Sequence, residues 1–388
     1  MTHELLPQQH RHAWMTLEMD DFRAQVRRYI TREMSPHLDT WRRQGFIPRE
    51  VWKPFAQMGF LLPEFGEEWG GGGGTLAHQL VVQDEMALQE VPENIGVHSI
   101  VSHYILDYGT PEQKARWVPG LVSGDFFASI ALTEPGCGSD LKSLRTRAQR
   151  EGDEYVINGA KMFITNAFSG NFMVVAARTG EAGSGGVSLL VVENTHDQPG
   201  FRIGRRLEKL GQHASDTCEV FFDNLRVPAH NLLGTVEGQG FRQVMSQLAY
   251  ERLLLAVPAA AAIELAVSLT VDYTRQRPAF GQHLSDFQNT RFKLAECATI
   301  AHVVRGFVND CIQRLLDGTL DDEAAYMAKW WCTEQQCKVV DDCLQLFGGY
   351  GYMSEYPIAR LYADARVQRI YGGTTEIMKD LIARRLFA

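Results

Sequence analysis

The sequence predicts an α+β fold in three successive zones, helical, then β, then helical. Three observations carry that reading. Apolar residues recur at helical spacing up to about residue 122. Short runs rich in β-branched and aromatic residues, bounded by Gly, Asn, Asp or Pro, fill residues 125–236. Long helical patterns then occupy the rest of the 388 residues. The expected domains are 1–122, 123–236 and 237–388, and the chain is long enough for each to bury a core.

In the first zone Phe22, Val26, Tyr29 and Ile30 line one helical face, with Arg23, Arg27 and Arg28 on the polar side. Met34-Ser35-Pro36 predicts a stop, because a residue before proline disfavours the α region. Residues 51–58 and 77–88 read as further helices. The five glycines Gly70 to Gly74 fit neither a P-loop nor GxGxxG before a helix, and read as a flexible loop. Residues 126–130, 155–157, 172–176, 187–192 and 219–222 read as strands of one antiparallel sheet or barrel. Asn158-Gly159 predicts a tight turn, after which Phe163 and Thr165 alternate onto one face. Residues 241–276, 286–316 and 321–346 read as long helices, and a last helix starts near Thr375.

Composition narrows the function. With 45% hydrophobic and 22% charged residues the chain is ordinary globular material. The net charge is −9 and no Lys/Arg-rich run interleaves with aromatics, which argues against nucleic acid. The seven cysteines are odd in number and form no CxxC pair, so buried free thiols are expected rather than zinc or disulfides. No run approaches ~18 uninterrupted apolar residues, so no membrane insertion is expected. The apolar segment 253–262 is flanked by Glu251, Arg252 and Glu264 and reads as a buried core helix. Glu4, Arg11, Glu18, Asp20 and Asp21 near the N-terminus leave no apolar leader. A cytoplasmic protein is expected, with a mitochondrial matrix protein after transit-peptide removal as the alternative.

Five segments carry chemistry. Residues 131–140, Ala-Leu-Thr-Glu-Pro-Gly-Cys-Gly-Ser-Asp, follow a strand with small residues, hydroxyls and free backbone N–H groups, able to approach a planar ring or a phosphate. Residues 158–166 put an aromatic, Phe163, where it can cover one side of such a ring. Residues 277–282, Arg-Pro-Ala-Phe-Gly-Gln, set a cation, an aromatic and a glycine at a break between helices, which suits a pyrophosphate. Residues 345–353 and 370–377 place glycines before helices, where a backbone can close on a ligand.

In this order and spacing the five segments resemble the acyl-CoA dehydrogenase family, over essentially the whole chain. The resemblance implies a helical N-terminal domain, a central antiparallel β domain and a C-terminal four-helix bundle. It implies FAD between the β domain and the bundle, partly completed by a neighbouring subunit of a homotetramer. It implies an acyl-CoA substrate and electron-transfer flavoprotein as acceptor. Leu132, Thr133, Ser139, Phe163 and Thr165 would hold the isoalloxazine and ribityl region. Arg277, Phe280 and Gln288 would hold the pyrophosphate and adenine side, and Gln345, Gly349, Thr374 and Glu376 would complete the dinucleotide site. Ser139, Arg252 and Gly373 would touch the acyl-CoA. Glu376 stands where glutamine is common in the family.

One departure matters. In most of the family the residue after the tyrosine of the fifth segment is the catalytic glutamate, and here it is Gly372. Glu251, alone in an apolar helix, either forms a structural pair with Arg252 or serves as the base. Its position matches the long-chain and isovaleryl branches of the family, which implies that Glu251 is the α-proton base and that Gly372 contributes its backbone N–H. A non-catalytic acyl-CoA or FAD binder and a flavin-dependent monooxygenase on the same fold are the rival readings. Residues 94–99 are expected at the far end of the acyl pocket, with His98 either there or in the core.

Overall fold

The computed structural model describes residues 11–92, 94–181 and 183–387; Glu4 and its neighbours lie outside the described residues. The first domain is helical: α1 (Leu17–Tyr29), α2 (Leu38–Gln44), α3 (Trp52–Gln57), α4 (Leu76–Leu88), α5 (Asn94–Tyr108) and α6 (Pro111–Ser123). Local sequence sets the ends. Thr16 caps α1 by accepting from Met19 N at 3.1 Å. Thr110 and Gln113 form a reciprocal capping box around Pro111 at the start of α6, and Gly124, at φ 77°, ends it. The expected stop at Met34-Ser35-Pro36 is not a stop. Residues 30–34 widen into a π turn, residues 35–37 tighten into a 3-10 turn, and the path continues into α2. Proline removes a donor, and the helix absorbs the loss by changing its hydrogen-bond pitch.

The glycine run is not a loose linker either. Gly71 N donates to Gly66 O, Gly73 N to Phe65 O and Gly74 N to Pro63 O, at 3.1, 2.8 and 2.9 Å. A Cβ at Gly71 would lie 2.2 Å from Phe65 O, so the loop folds back on residues 63–65 at a distance only glycine allows.

Among the described residues the β domain has seven strands: β1 (Ala128–Ala131), β2 (Arg147–Glu151), β3 (Glu154–Thr165), β4 (Phe172–Arg178), β5 (Val187–Glu193), β6 (Phe201–Arg206) and β7 (Thr217–Pro228). Their order is β1-β4-β2-β3-β7-β6, with β5 also paired to β4. The sheet is mixed rather than wholly antiparallel. β1 runs parallel to β4, and β2 meets β4 in parallel at Arg147 and Arg178. The chain between β1 and β4 is long enough for that crossover because it contains the β2–β3 hairpin. Asn158-Gly159 makes no turn. It lies inside β3 at a register shift against β7, where a Cβ on Gly159 would sit 2.5 Å from Thr146 Oγ1. The tight turn is at Gly152, φ 62°, between β2 and β3.

The last domain comprises α7 (Gly240–Ser246), α8 (Leu248–Gln276), α9 (Gln288–Leu316), α10 (Asp322–Phe347), α11 (Pro357–Gln368) and α12 (Thr375–Leu386). The expected helix 241–276 is thus two, broken at Gln247. By length and composition alone α8 could cross a membrane, yet it is mostly buried in the protein, in line with the buried core helix expected at 253–262. Its apolar residues form one core with those of α4, α9, α10 and α11. The seven cysteines are free thiols, six of them buried.

A buried charge network ties the first domain to the last. Arg305 of α9 donates to Glu264 of α8 at 2.7 and 2.8 Å and to Asp84 of α4 at 2.8 Å. Arg23 of α1 reaches Asp84 at 2.5 Å and Glu85 at 2.9 Å, and Arg27 grips Glu85 through two bonds of 2.7 Å. Burial alone would push the Asp84 carboxyl up; Arg305 and Arg23 outweigh it and hold it below its ordinary value. That contribution to stability is present above the unfolded carboxyl's pKa of about 3.9 and is lost as pH falls through the folded value. Replacing Arg305→Met leaves Asp84 and Glu264 buried with one cation fewer, which should cost about 3–5 kcal/mol. The check is the urea midpoint at neutral pH. A midpoint equal to that of the native protein would show that the network contributes nothing.

Candidate active site

The site is built where α5 crosses the first turn of α8. Glu251 emerges just after the break at Gln247, its side chain only 12% exposed. Tyr104 Oη of α5 donates to Glu251 Oε1 at 2.5 Å, and Arg252 Nη1 approaches Glu251 Oε2 at 3.4 Å. Burial pushes the Glu251 carboxyl above its ordinary value, although Arg252 and the Tyr104 bond pull the other way. Burial and the adjacent carboxylate push the Tyr104 phenol well above its own, so it stays a donor. Two further contacts pin α5 and its surroundings here: Ser99 Oγ lies 2.8 Å from Tyr250 Oη, and His103 Nε2 lies 2.9 Å from Glu64 Oε1.

The turn before α12 closes over the same face of α8. Gly372 and Gly373 have φ of 58° and 89°. A Cβ on Gly372 would lie 2.3 Å from Leu255 Cδ1, and Leu255 is one turn along α8 from Glu251. Among the described residues the Gly372 N–H has no acceptor. Lys329 of α10, fully buried, donates to Gly373 O at 2.6 Å and fixes the turn from below. Burial, reinforced by the cation of Arg252, lowers its ammonium to about 8. Thr374 caps α12 by accepting from Ile377 N at 3.3 Å, and Glu376 is exposed in the first turn.

A second group lies at the β domain. Glu134 anchors residues 131–140: it accepts from Lys161 Nζ and Thr146 N at 2.9 Å and from Arg145 N at 2.6 Å. Lys161 also donates to Leu132 O at 3.0 Å, and Met162 N to Thr133 O at 2.9 Å. Ser139 is left exposed at the tip. Phe163 is 64% exposed with φ 61°, an unfavourable combination for an aromatic, while Thr165 beyond it is half-buried.

A third group lines a groove of about 680 Å³ with Arg277, Gln345, Gly349 and Tyr350. The Arg277 guanidinium stands 5.1 Å over the Tyr350 ring. Phe280, 97% exposed at φ 51°, sits in the adjacent hairpin, and Gln288 is exposed at the start of α9; neither lines the groove.

Sequence reading missed Tyr104, Lys329 and the Glu134–Lys161 pair. Tyr104 is 147 residues from its partner, and no local pattern marks it. A lysine within a long apolar helix pattern was the available signal for Lys329. His98 is a core residue: Nδ1 accepts from Ala128 N at 3.0 Å, and Nε2 faces Leu121 O at 3.1 Å. Burial lowers it to about 4, so it is neutral at pH 7.

Comparison with known proteins identifies the family of the chain. Residues 16–125, 129–225 and 238–387 match the family profiles described as acyl-CoA dehydrogenase N-terminal, middle and C-terminal domains. The long-chain specific acyl-CoA dehydrogenase of Mus musculus mitochondria is 44% identical over 374 residues, 95% of this chain and 86% of that protein. The crystal structure of an acyl-CoA dehydrogenase from Geobacillus kaustophilus superposes with a TM-score of 0.94 at 44% identity, covering 97% of this chain and 100% of that one. A glutaryl-CoA dehydrogenase from Mycobacterium smegmatis in complex with FADH2 is 27% identical, with a TM-score of 0.88 over 96% and 95% of the two chains. The chain belongs to the acyl-CoA dehydrogenase family, the FAD-dependent oxidoreductases that dehydrogenate acyl-CoA thioesters.

Proposed function

We propose that this protein converts a saturated acyl-CoA, of medium-to-long or branched chain, to the trans-2-enoyl-CoA, with Glu251 as the base. The observation that carries the reading is a buried carboxylate of raised pKa, beside a turn in which Gly372 presents an N–H with no acceptor among the described residues. A hydrogen on the α carbon of a thioester is a poor acid unless charge developing on the carbonyl oxygen meets a donor. The Gly372 N–H is such a donor, and Lys329 holds its turn. Glu251 takes the α proton onto Oε2, the oxygen that Tyr104 leaves free. Arg252, buried with Nε unpartnered, and Gly373 and Ser139 contact the acyl-CoA. The apolar core around α8 keeps water from the carboxylate and raises its basicity.

The residues present fit FAD. Gly136, Gly138, Gly348 and Gly349 have open space where a Cβ would stand, which leaves room for close backbone approach. Phe163 is an exposed aromatic face, and Arg277 supplies a cation for a pyrophosphate. Leu132, Thr133, Ser139, Phe163 and Thr165 would hold the ring and ribityl side. Arg277, Phe280 and Gln288 would hold the pyrophosphate and adenine side of a neighbouring subunit's FAD in a homotetramer, with Gln345, Gly349, Thr374 and Glu376 completing the site. The nearly complete exposure of Phe280 supports an intersubunit role. When bound, FAD supplies the acceptor for the β hydrogen as hydride, and electron-transfer flavoprotein is the proposed onward acceptor.

Replacing Glu251→Gln should slow anaerobic bleaching of the flavin by acyl-CoA by about 10²–10⁴-fold while leaving acyl-CoA binding measurable. Bleaching at the native rate would make Glu251 structural and return the base to another group.

The pH dependence has a definite sign. The base works ionised, so flavin reduction fails as pH falls through a Glu251 pKa that lies above the ordinary carboxyl value of about 4.3. The Tyr104 bond stabilises the carboxylate, so Tyr104→Phe should move that acid limb to higher pH. A stopped-flow pH profile reads the shift. An unmoved limb would mean that Tyr104 does not act on the base.

A further inference from the structure

Six polar side-chain atoms, the amide ends of Gln79, Gln83 and Asn94, are buried without partners. Gln79 and Gln83 of α4 are fully buried, and neither the oxygen nor the nitrogen of either amide has a hydrogen-bond partner. Asn94, the first residue of α5, is 1% exposed, and both ends of its side chain are unpartnered too. Buried amides are almost always satisfied, and leaving them unmade is destabilising. The two glutamines, on one face of α4, call for an occupant.

The geometry relates this place to the base. Gln79 and Gln83 are one turn apart and share a face of α4. Gly96 lets α5 approach Gln83: a Cβ there would lie 3.3 Å from Gln83 Nε2. Gly96, Ile100 and Tyr104 recur every four residues, so they share one face of α5. The Tyr104 end of that face holds Glu251, and the Gly96 end meets Gln83. Eight residues of helix span about 12 Å, the reach of roughly nine methylenes.

We infer that the substrate's acyl chain runs along this face of α5 and carries an uncharged hydrogen-bonding oxygen, a hydroxyl or ketone, near its far end, where Gln83, with Gln79 one turn away on α4, receives it. This rests on the reading of Glu251 as the end where chemistry occurs. A wholly apolar chain end would leave the amides unpaired. A carboxylate would arrive without a counter-charge, because the cations that meet α4, Arg23, Arg27 and Arg305, are committed to Asp84, Glu85 and Glu264. Neutral amides offer both donors and acceptors, which suits a hydroxyl above all.

The test uses the FAD-loaded enzyme and dodecanoyl-CoA, with counterparts hydroxylated on one of the last three carbons or carboxylated at the end. The best hydroxylated chain should exceed the plain chain in kcat/KM by at least about tenfold, because a buried polar site rejects the analogue that lacks its partner. The carboxylated chain should fall below the hydroxylated one. In Gln83→Leu, or in Gln79→Leu should the first variant not fold, the ratio of hydroxylated to plain chain should drop to about one or below. Binding of the matching 2-enoyl-CoAs, followed by perturbation of the flavin spectrum, gives the same ratio without turnover. A preference seen in binding alone would fault the base and not the chain end. Equal or better use of the plain chain in both measurements, or a preference for the carboxylate, would overturn the inference; in the first case the amides hold buried water instead.

Discussion

The site depends on one contact, the hydrogen bond from Tyr104 to Glu251 across the α5–α8 junction. It joins the first domain to the last where the Glu251 carboxylate enters the apolar start of α8. A buried carboxylate without a partner would be neutralised or expelled. One phenol and one distant guanidinium are enough to keep it, and too few to make it a weak base. Glu264, further along α8, shows the contrast. Arg305 grips it through two bonds of 2.7 and 2.8 Å, and it serves structure. Two glutamates on one helix thus sit in different surroundings, one gripped by a guanidinium and the other held lightly by a phenol.

The turn at residues 371–374 makes sense in that setting. A side chain at Gly372 would point at Leu255, on the face of α8 that also presents Glu251. An acid on the turn and an acid on the helix would compete for one place, and two like charges so close cannot both ionise easily. The glycine leaves the place to Glu251 and leaves the backbone N–H that the proposed function assigns to the carbonyl oxygen. Lys329 completes the arrangement by holding the Gly373 carbonyl, so the turn is fixed by a bond to its backbone.

Much of this was legible in sequence because it is local. The helical period around Phe22 and Tyr29, the β-branched runs of β4 and β5, and the acid beside Arg252 in an apolar helix are all read within one element. The misreadings share a cause. Pro36, Gly70 to Gly74 and Asn158-Gly159 carry strong local signals for a stop, a loose loop and a turn. Packing overrode each: the π and 3-10 turns carry the path past Pro36, Phe65 orders the glycines, and Thr146 requires Gly159 inside a strand. The parallel β1–β4 pair was hidden because pairing partners depend on topology. Tyr104, Lys329, Gln79 and Gln83 were hidden because their meaning lies in what surrounds them. The segments at 131–140 and 277–282 were visible as motifs, while the Glu134–Lys161 pair that shapes the first is a contact across 27 residues.

The central claim is that Glu251 removes the α proton. The most direct measurement is loss of α-deuterium to solvent from an acyl-CoA that has no β hydrogen to give, mixed with FAD-loaded enzyme. The account predicts steady exchange with the native protein and essentially none with Glu251→Gln. Equal exchange in both proteins would contradict it.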